Sequence, residues 1–160
     1  MTAEPIPALR PLKPADLEPC LALDGLALGG IWTPAQWQRE LEDDRRPGLG
    51  VWRGADLLAM ASGWLVVDEL HITLVAVAPT QRRLGLGRRV LLGLLAAARQ
   101  GGAERATLEV ASGNSAARAL YGDCGFRDAG IRHGYYRNGD DALIQWLKLK
   151  ATEAGCPECG

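Results

Sequence analysis

Apolar residues recur along the chain at two spacings, and the changes of spacing mark where elements begin and end. From Leu86 to Arg99 they fall at Leu86, Val90, Leu91, Leu94, Leu95 and Ala98. Steps of three and four predict a helix with one apolar stripe, closed by Gly101-Gly102. From Glu69 to Ala78 the period is two. Leu70, Ile72, Leu74 and Ala76 are expected on one face, and His71, Thr73, Val75 and Val77 on the other. Both faces are largely apolar toward the end of this strand, which predicts a central position in a sheet. Pro79 ends it.

The remaining segments are read in the same way. Ala8–Leu12 is a short edge strand after a loose lead. Asp16–Ala27 has near-helical spacing and stops at Gly29-Gly30. Thr33-Pro34-Ala35-Gln36 carries a cap, a proline suited to the first helical position and a capping-box glutamine, so a helix starts there and runs to Glu42. Gly48–Arg53 and Leu57–Val66 are two strands joined at Gly54-Ala55-Asp56. Arg105–Ala111 is a strand and Asn114–Asp123 a short helix. Phe126–Tyr136 and Asp141–Leu149 form a final strand pair around Asn138-Gly139. The expected order is β-α-α-β-β-β-α-β-α-β-β, with no internal repeat and no dividing linker.

Composition narrows the class. The 160 residues suit one domain, expected over 1–150, and 48% hydrophobic with 23% charged residues is the profile of an ordinary globule that needs no disulfide staples. Eighteen basic against nineteen acidic residues leave a net charge of -1, which argues against a basic nucleic-acid coat. No run of about twenty apolar residues offers a membrane span. The first thirteen residues have neither the basic start nor the apolar stretch of a secretory leader, so the expected compartment is the cytoplasm. Cys20, Cys124, Cys156 and Cys159 are too sparse and uneven for a disulfide framework. Cys156-Pro157-Glu158-Cys159 supplies half a zinc site and is read, within 151–160, as a disordered tail with two reactive thiols.

Two constellations carry chemistry. Arg82-Arg83-Leu84-Gly85-Leu86-Gly87-Arg88-Arg89 lies between the clearest strand and the strongest helix. Glycines two apart let backbone approach a ligand, and the first helical N–H groups have no internal partners and carry partial positive charge. That is a pyrophosphate site. It is not a P-loop, since no Lys-Ser or Lys-Thr follows, nor a dinucleotide fingerprint, since Val90 replaces the third glycine. The second constellation is Glu109, Asn114 and Tyr121. Glu109 shares a strand face with Thr107 and Ala111, where glutamate is disfavoured. Asn114 is an N-cap, and Tyr121 lies two helical turns beyond it on the same side. A carboxylate and a phenol that converge on one cleft can serve as general base and general acid. Taken singly, each residue also has a structural explanation: an ion pair, a cap and a core tyrosine.

Together these segments resemble the GCN5-related N-acetyltransferase superfamily. The resemblance runs from Ala8 to Leu149 and is carried by Val75-Ala76-Val77-Ala78-Pro79, then Arg82-x-x-Gly85-x-Gly87, then Asn114-x-x-Ala117-x-x-Leu120-Tyr121-x-x-x-Gly125-Phe126. Within the superfamily the chain is most similar to the bacterial ribosomal-protein alanine N-acetyltransferases, through Leu108-Glu109-Val110, Ala119-Leu120-Tyr121 and Ile131-Arg132-x-x-Tyr135-Tyr136 before an Asn-Gly turn. The resemblance implies an α/β (α+β) fold. Its sheet is mixed and mostly antiparallel, of six to seven strands flanked by about four helices, with a V-shaped splay between two central parallel strands. It implies acetyl-CoA as donor and no metal. Pantetheine would lie along Val75, Ala76 and Val77, and residues Arg82, Arg83, Leu84, Gly85, Leu86, Gly87 and Arg88 would hold the pyrophosphate. Asn114 would contact the cofactor, Glu109 would be the base and Tyr121 the acid. A backbone N–H near Val77 could polarise the thioester carbonyl.

The implied acceptor is the N-terminal α-amine, of alanine, on a small-subunit ribosomal protein. No nucleic-acid or membrane partner is expected, and the chain is expected to be a monomer or weak dimer. Trp32, His71, Tyr135 and Tyr136 are candidates for the acceptor groove, with His71 an alternative base. An α-amine, with a reference pKa of about 7.7–8.0 against about 10.4 for lysine, needs little help to become neutral. Acetylation of a small-molecule amine or a lysine, or a non-catalytic acetyl-CoA sensor, are the competing readings.

Overall fold

The computed structural model describes residues 6–149. The Cys156/Cys159 tail and most of the loose lead fall outside the described residues. Seven strands form one sheet: β1 (Ala8–Pro11), β2 (Gly48–Arg53), β3 (Asp56–Val66), β4 (Glu69–Val77), β5 (Arg105–Ala111), β6 (Arg127–Arg132) and β7 (Ala142–Lys148). Four α-helices accompany them: α1 (Leu17–Leu28), α2 (Pro34–Glu42), α3 (Leu86–Gln100) and α4 (Ser115–Asp123). The strand order is β1-β2-β3-β4-β5-β7-β6, so β4 is central as expected. Among the described residues, no helix is long and apolar enough to cross a membrane.

Local signals act where they were read. Thr33 Oγ1 accepts from the Gln36 N–H at 3.2 Å and Gln36 Oε1 accepts from the Thr33 N–H at 2.8 Å, which completes the capping box that starts α2. Gly29 ends α1 with a left-handed φ of 78°. The stripe of α3 buries Val90, Leu91 and Leu94 completely, each worth about 1.5–3 kcal/mol against exposure.

Alternate strand residues feed two cores on opposite faces. Ala59 and Ala61 join α3, while Met60 joins Cys20, Leu23 and Trp37 of α1 and α2. On β4 the expected alternation fails at one residue. Ser62 pairs with Leu74 but Gly63 with Ile72, so Thr73 is an extra residue in the ladder, a β-bulge. Leu70 and Ile72 pack on the α3 side, as Val75 and Val77 do, whereas Leu74 and Ala76 face α1. The faces expected for β4 are therefore exchanged beyond the bulge. Thr73 Oγ1 donates to the Ser62 carbonyl at 3.0 Å. Gly63 makes the bulge possible, because a Cβ there would sit 2.7 Å from Leu70 Cδ1 and 2.9 Å from the His71 carbonyl oxygen.

The bulge coincides with a parting of strands. β4 and β5 run parallel and pair only from Glu69↔Arg105 to His71↔Thr107. Beyond that, β4 stays with β3 out to Val77↔Ala59, and β5 stays with β7 out to Ala111↔Ala142. The sheet opens between them. One boundary differs from expectation by more than a residue: β6 stops at Arg132, and Tyr135 and Tyr136 lie in the β6–β7 loop. Gly134, at φ 60°, turns the chain, and its N–H donates to Asp141 Oδ1 at 2.9 Å.

Candidate active site

Two clefts draw on successive stretches of β4 around the splay. The larger, about 900 Å³, is lined by Val75, Ala76 and Val77, by the loop from Gln81 to Arg88, and by Asn114 and Tyr121 of the α4 region. The smaller, about 610 Å³, is lined by Glu69, His71 and Thr73 of β4, by Thr107 and Glu109 of β5, and by Trp32, Arg132, Tyr135 and Tyr136.

The larger cleft is built to receive an anion joined to an extended chain. Gly85 caps α3 with a φ of 78° and contributes no side-chain acceptor to the first-turn N–H groups. Their partial positive charge is turned outward. Arg82, Arg83 and Arg88 line the same wall. Arg83 holds a φ of 66°, an uncommon conformation for a residue with a side chain. A Cβ on Gly87 would stand 3.3 Å from Leu120 Cδ2 and 3.4 Å from Val77 Cγ2, so backbone alone occupies that corner. Two residues of the basic run face elsewhere. Leu84 is exposed and outside the lining, and Arg89 donates to the Pro7 carbonyl at 2.6 Å.

The edge of β4 supplies further donors. The Ala78 N–H donates to the Leu58 carbonyl, on the β3 side, at 2.8 Å. By alternation the Val77 N–H faces the opening. Asn114 performs its capping role, with Oδ1 accepting from the Ala117 N–H at 3.1 Å, and also lines the cleft. Leu28, at the end of α1, closes the opposite wall.

Tyr121 is buried and meets Phe126 edge to face at 6.0 Å. Burial pushes its phenol up to about 12, with smaller contributions from Tyr136 and Cys124. Tyr121 is therefore a protonated donor throughout the neutral range. Glu109 belongs to the other cleft, where its side chain is 35% exposed and lies 3.8 Å from Arg132 Nη2. Tyr136 lines the cleft beside Glu109. Its own phenol is raised by burial and then by the Glu109 carboxylate, and it acts in turn on Tyr121.

All four expected acceptor residues line the smaller cleft. His71 Nε2 lies 3.2 Å from Glu69 Oε1, and Glu69 Oε2 accepts from Arg105 Nε at 2.7 Å. Tyr135 and Tyr136 stack edge to face at 5.2 Å, and Arg132 lies over the Tyr135 ring at 5.6 Å. Sequence reasoning missed Thr73 and Thr107 as lining residues. Thr107 shares the Glu109 face, so period two could have named it. Thr73 shares the face expected for His71, so the same alternation could have named it.

The comparisons agree with this architecture. The sequence profile of the Acetyltransferase (GNAT) family matches residues 17–126. The N-alpha-acetyltransferase RimI of Mycobacterium tuberculosis is 35% identical over 150 residues, covering 89% of this chain and 93% of that protein. The ribosomal protein bS18-alanine N-acetyltransferase of Escherichia coli is 38% identical over 96 residues, covering 58% of this chain and 65% of that protein. Among solved structures, the crystal structure of the ribosomal-protein-S18-alanine N-acetyltransferase from Escherichia coli superposes with a TM-score of 0.84 at 28% identity, covering 94% of this chain and 99% of that one. A profile match over most of the chain and a fold shared nearly end to end lead to one conclusion: the chain belongs to the GNAT family and is an N-acetyltransferase.

Proposed function

We propose that the chain transfers the acetyl group of acetyl-CoA to the N-terminal α-amine of a small-subunit ribosomal protein, on an N-terminal alanine, in the cytoplasm. The observation that carries this reading is the pair of clefts at the β4–β5 opening. One has an anion cradle and a buried phenol; the other has a carboxylate between aromatic walls. The relatives named for S18 alanine acetylation favour the same acceptor.

The residues fit acetyl-CoA, which when bound supplies an activated thioester. The α3 N–H groups with Arg82, Arg83 and Arg88 hold the pyrophosphate, and the backbone of Val75–Val77 pairs with the pantetheine as an added strand would. The Val77 N–H polarises the thioester carbonyl. Glu109, directly or through a water, takes a proton from the acceptor's ammonium group; the neutral amine then attacks the thioester carbon, and the proton nitrogen sheds as the amide forms leaves with the departing thiol. Tyr121 donates its O–H toward sulfur as the C–S bond breaks. Trp32, His71, Tyr135 and Tyr136 line the path of the incoming chain.

The test is turnover of acetyl-CoA with short peptides that differ only in their first residue, the acetyl group being located by mass spectrometry. Preference for alanine on the α-amine is expected. Transfer to lysine or to small amines in preference, or acetyl-CoA binding without turnover on any amine, would overturn the acceptor assignment or the catalytic one respectively.

A further inference from the structure

Between the two clefts runs the loop that joins α1 to α2, and a single buried side chain holds it. Asp24 is 1% exposed. Its Oδ1 accepts from the Ile31 N–H at 2.9 Å, and its Oδ2 accepts from the Trp32 N–H at 3.3 Å and from Trp37 Nε1 at 2.8 Å. Its main-chain carbonyl accepts from the N–H groups of Gly29 and Gly30. Donors from five positions thus converge on one residue. Gly29 and Gly30, at φ 78° and 82°, let the chain fold back onto it.

A buried carboxylate is costly unless its lone pairs are filled. An apolar residue at this place would leave the Ile31 and Trp32 N–H groups unpaired. What the arrangement secures is the placement of Trp32. That indole meets the fully buried Trp37 edge to face at 4.8 Å and forms a wall of the smaller cleft. At the other end of the loop, Ala27 and Leu28 line the larger cleft.

The geometry points to Asp24 as a positioning residue for the acceptor: through its hydrogen bonds to the α1–α2 loop it fixes Trp32 as the wall against which the amine-bearing chain binds. This rests on the proposed function, in which the smaller cleft takes the acceptor. Asp24 touches no reacting atom, so its removal separates acceptor binding from donor binding.

Asp24→Asn tests it. The amide has nearly the same shape but turns an N–H toward groups that are themselves donors. The acceptor KM should rise about tenfold or more, the scale of one lost hydrogen bond to a charged group. The Kd of acetyl-CoA should stay within about twofold and kcat within about threefold. Amide hydrogen exchange at Ile31 and Trp32 should quicken about tenfold or more. Val51→Ala, in the other core, controls for general destabilisation and should leave both substrate constants unchanged. Unchanged exchange at Ile31 and Trp32 would overturn the inference. So would fast exchange with an unchanged acceptor KM, or acceptor and donor constants rising together. If Asp24→Asn does not fold, Ile31→Pro deletes one of the same bonds from an exposed residue, and an unchanged acceptor KM there would refute the proposal. Wild-type turnover on the amine panel tests the acceptor identity by itself, and Asp24 is then tested on whichever amine the wild type accepts.

Discussion

Removing the Tyr121 hydroxyl is the sharpest probe of the proposed chemistry. With its phenol raised to about 12, fewer than about one molecule in a thousand is deprotonated at pH 9. The donor is always loaded, but it is a weak acid. A thiol ordinarily titrates near 8.5, so complete transfer from Tyr121 to a thiolate is uphill by about 3.5 units, or about 5 kcal/mol. Its contribution is therefore the hydrogen bond it gives to charge developing on sulfur. A bond to a charged partner is worth about 1.5–3 kcal/mol, which predicts that Tyr121→Phe lowers kcat about 10- to 150-fold. The ring contact with Phe126 survives, so Tm should move by no more than a few degrees and the acetyl-CoA Kd by no more than about twofold. Thiol release under saturating substrates, with calorimetry for the other two quantities, makes the measurement. A kcat within about twofold of wild type, or a Kd that rises as far as kcat falls, would refute the reasoning and leave Tyr121 a packing residue.

Three further outcomes are expected. Glu109→Gln should lower turnover about 100-fold at pH 7, with the deficit shrinking above pH 8, where an α-amine of ordinary pKa loses its proton unaided; a pH–rate profile with a uniform loss would remove Glu109 as base. Gly87→Asp should weaken acetyl-CoA binding about 100-fold, since the new side chain starts 3.3 Å from Leu120 and 3.4 Å from Val77 and sets a carboxylate beside phosphate; wild-type affinity by calorimetry would sink the cradle assignment. Stability should fall in alkali, because burial raises both Tyr121 and Cys20 to about 12. The neutral forms stabilise the fold fully below their unfolded pKa values, roughly 10 and 8.5, and that contribution is lost as pH rises toward 12, on the order of 3 kcal/mol for Tyr121 and about 5 kcal/mol for Cys20. Urea melts from pH 8 to 11 should show a smaller loss for Tyr121→Phe and Cys20→Ala than for wild type.

Much of the molecule was legible locally. The α3 stripe, the Thr33–Gln36 capping box, Gly29 as a helix stop and the period-two strands are short-range patterns, decided by backbone sterics and by burial of one face. The larger cleft was legible for the same reason: its glycines and arginines are contiguous, and a strand-to-helix turn needs few long-range contacts to take shape. The roles proposed for Glu109 and Tyr121 came from the resemblance, and the division of Glu109 and Tyr121 between two clefts was not foreseeable from periodicity.

What the tertiary structure decided lies where distant segments meet. Thr73 becomes a bulge only because Gly63, ten residues away on β3, admits Leu70 and the His71 carbonyl at close range. That one residue exchanges the faces of β4 and lies just past its last pairing with β5 at His71↔Thr107. Tyr135 and Tyr136 reach the smaller cleft from the β6–β7 loop, where Gly134 and Asp141 end the strand earlier than periodicity suggests. Asp24 is a polar residue within a segment of near-helical spacing, and only the folding back of Ile31, Trp32 and Trp37 onto it reveals what it holds. A sequence specifies local dihedral preference and the side chain's chemistry at each position, but which donor meets which acceptor is settled by packing, since burial makes an unpaired partner too costly to leave.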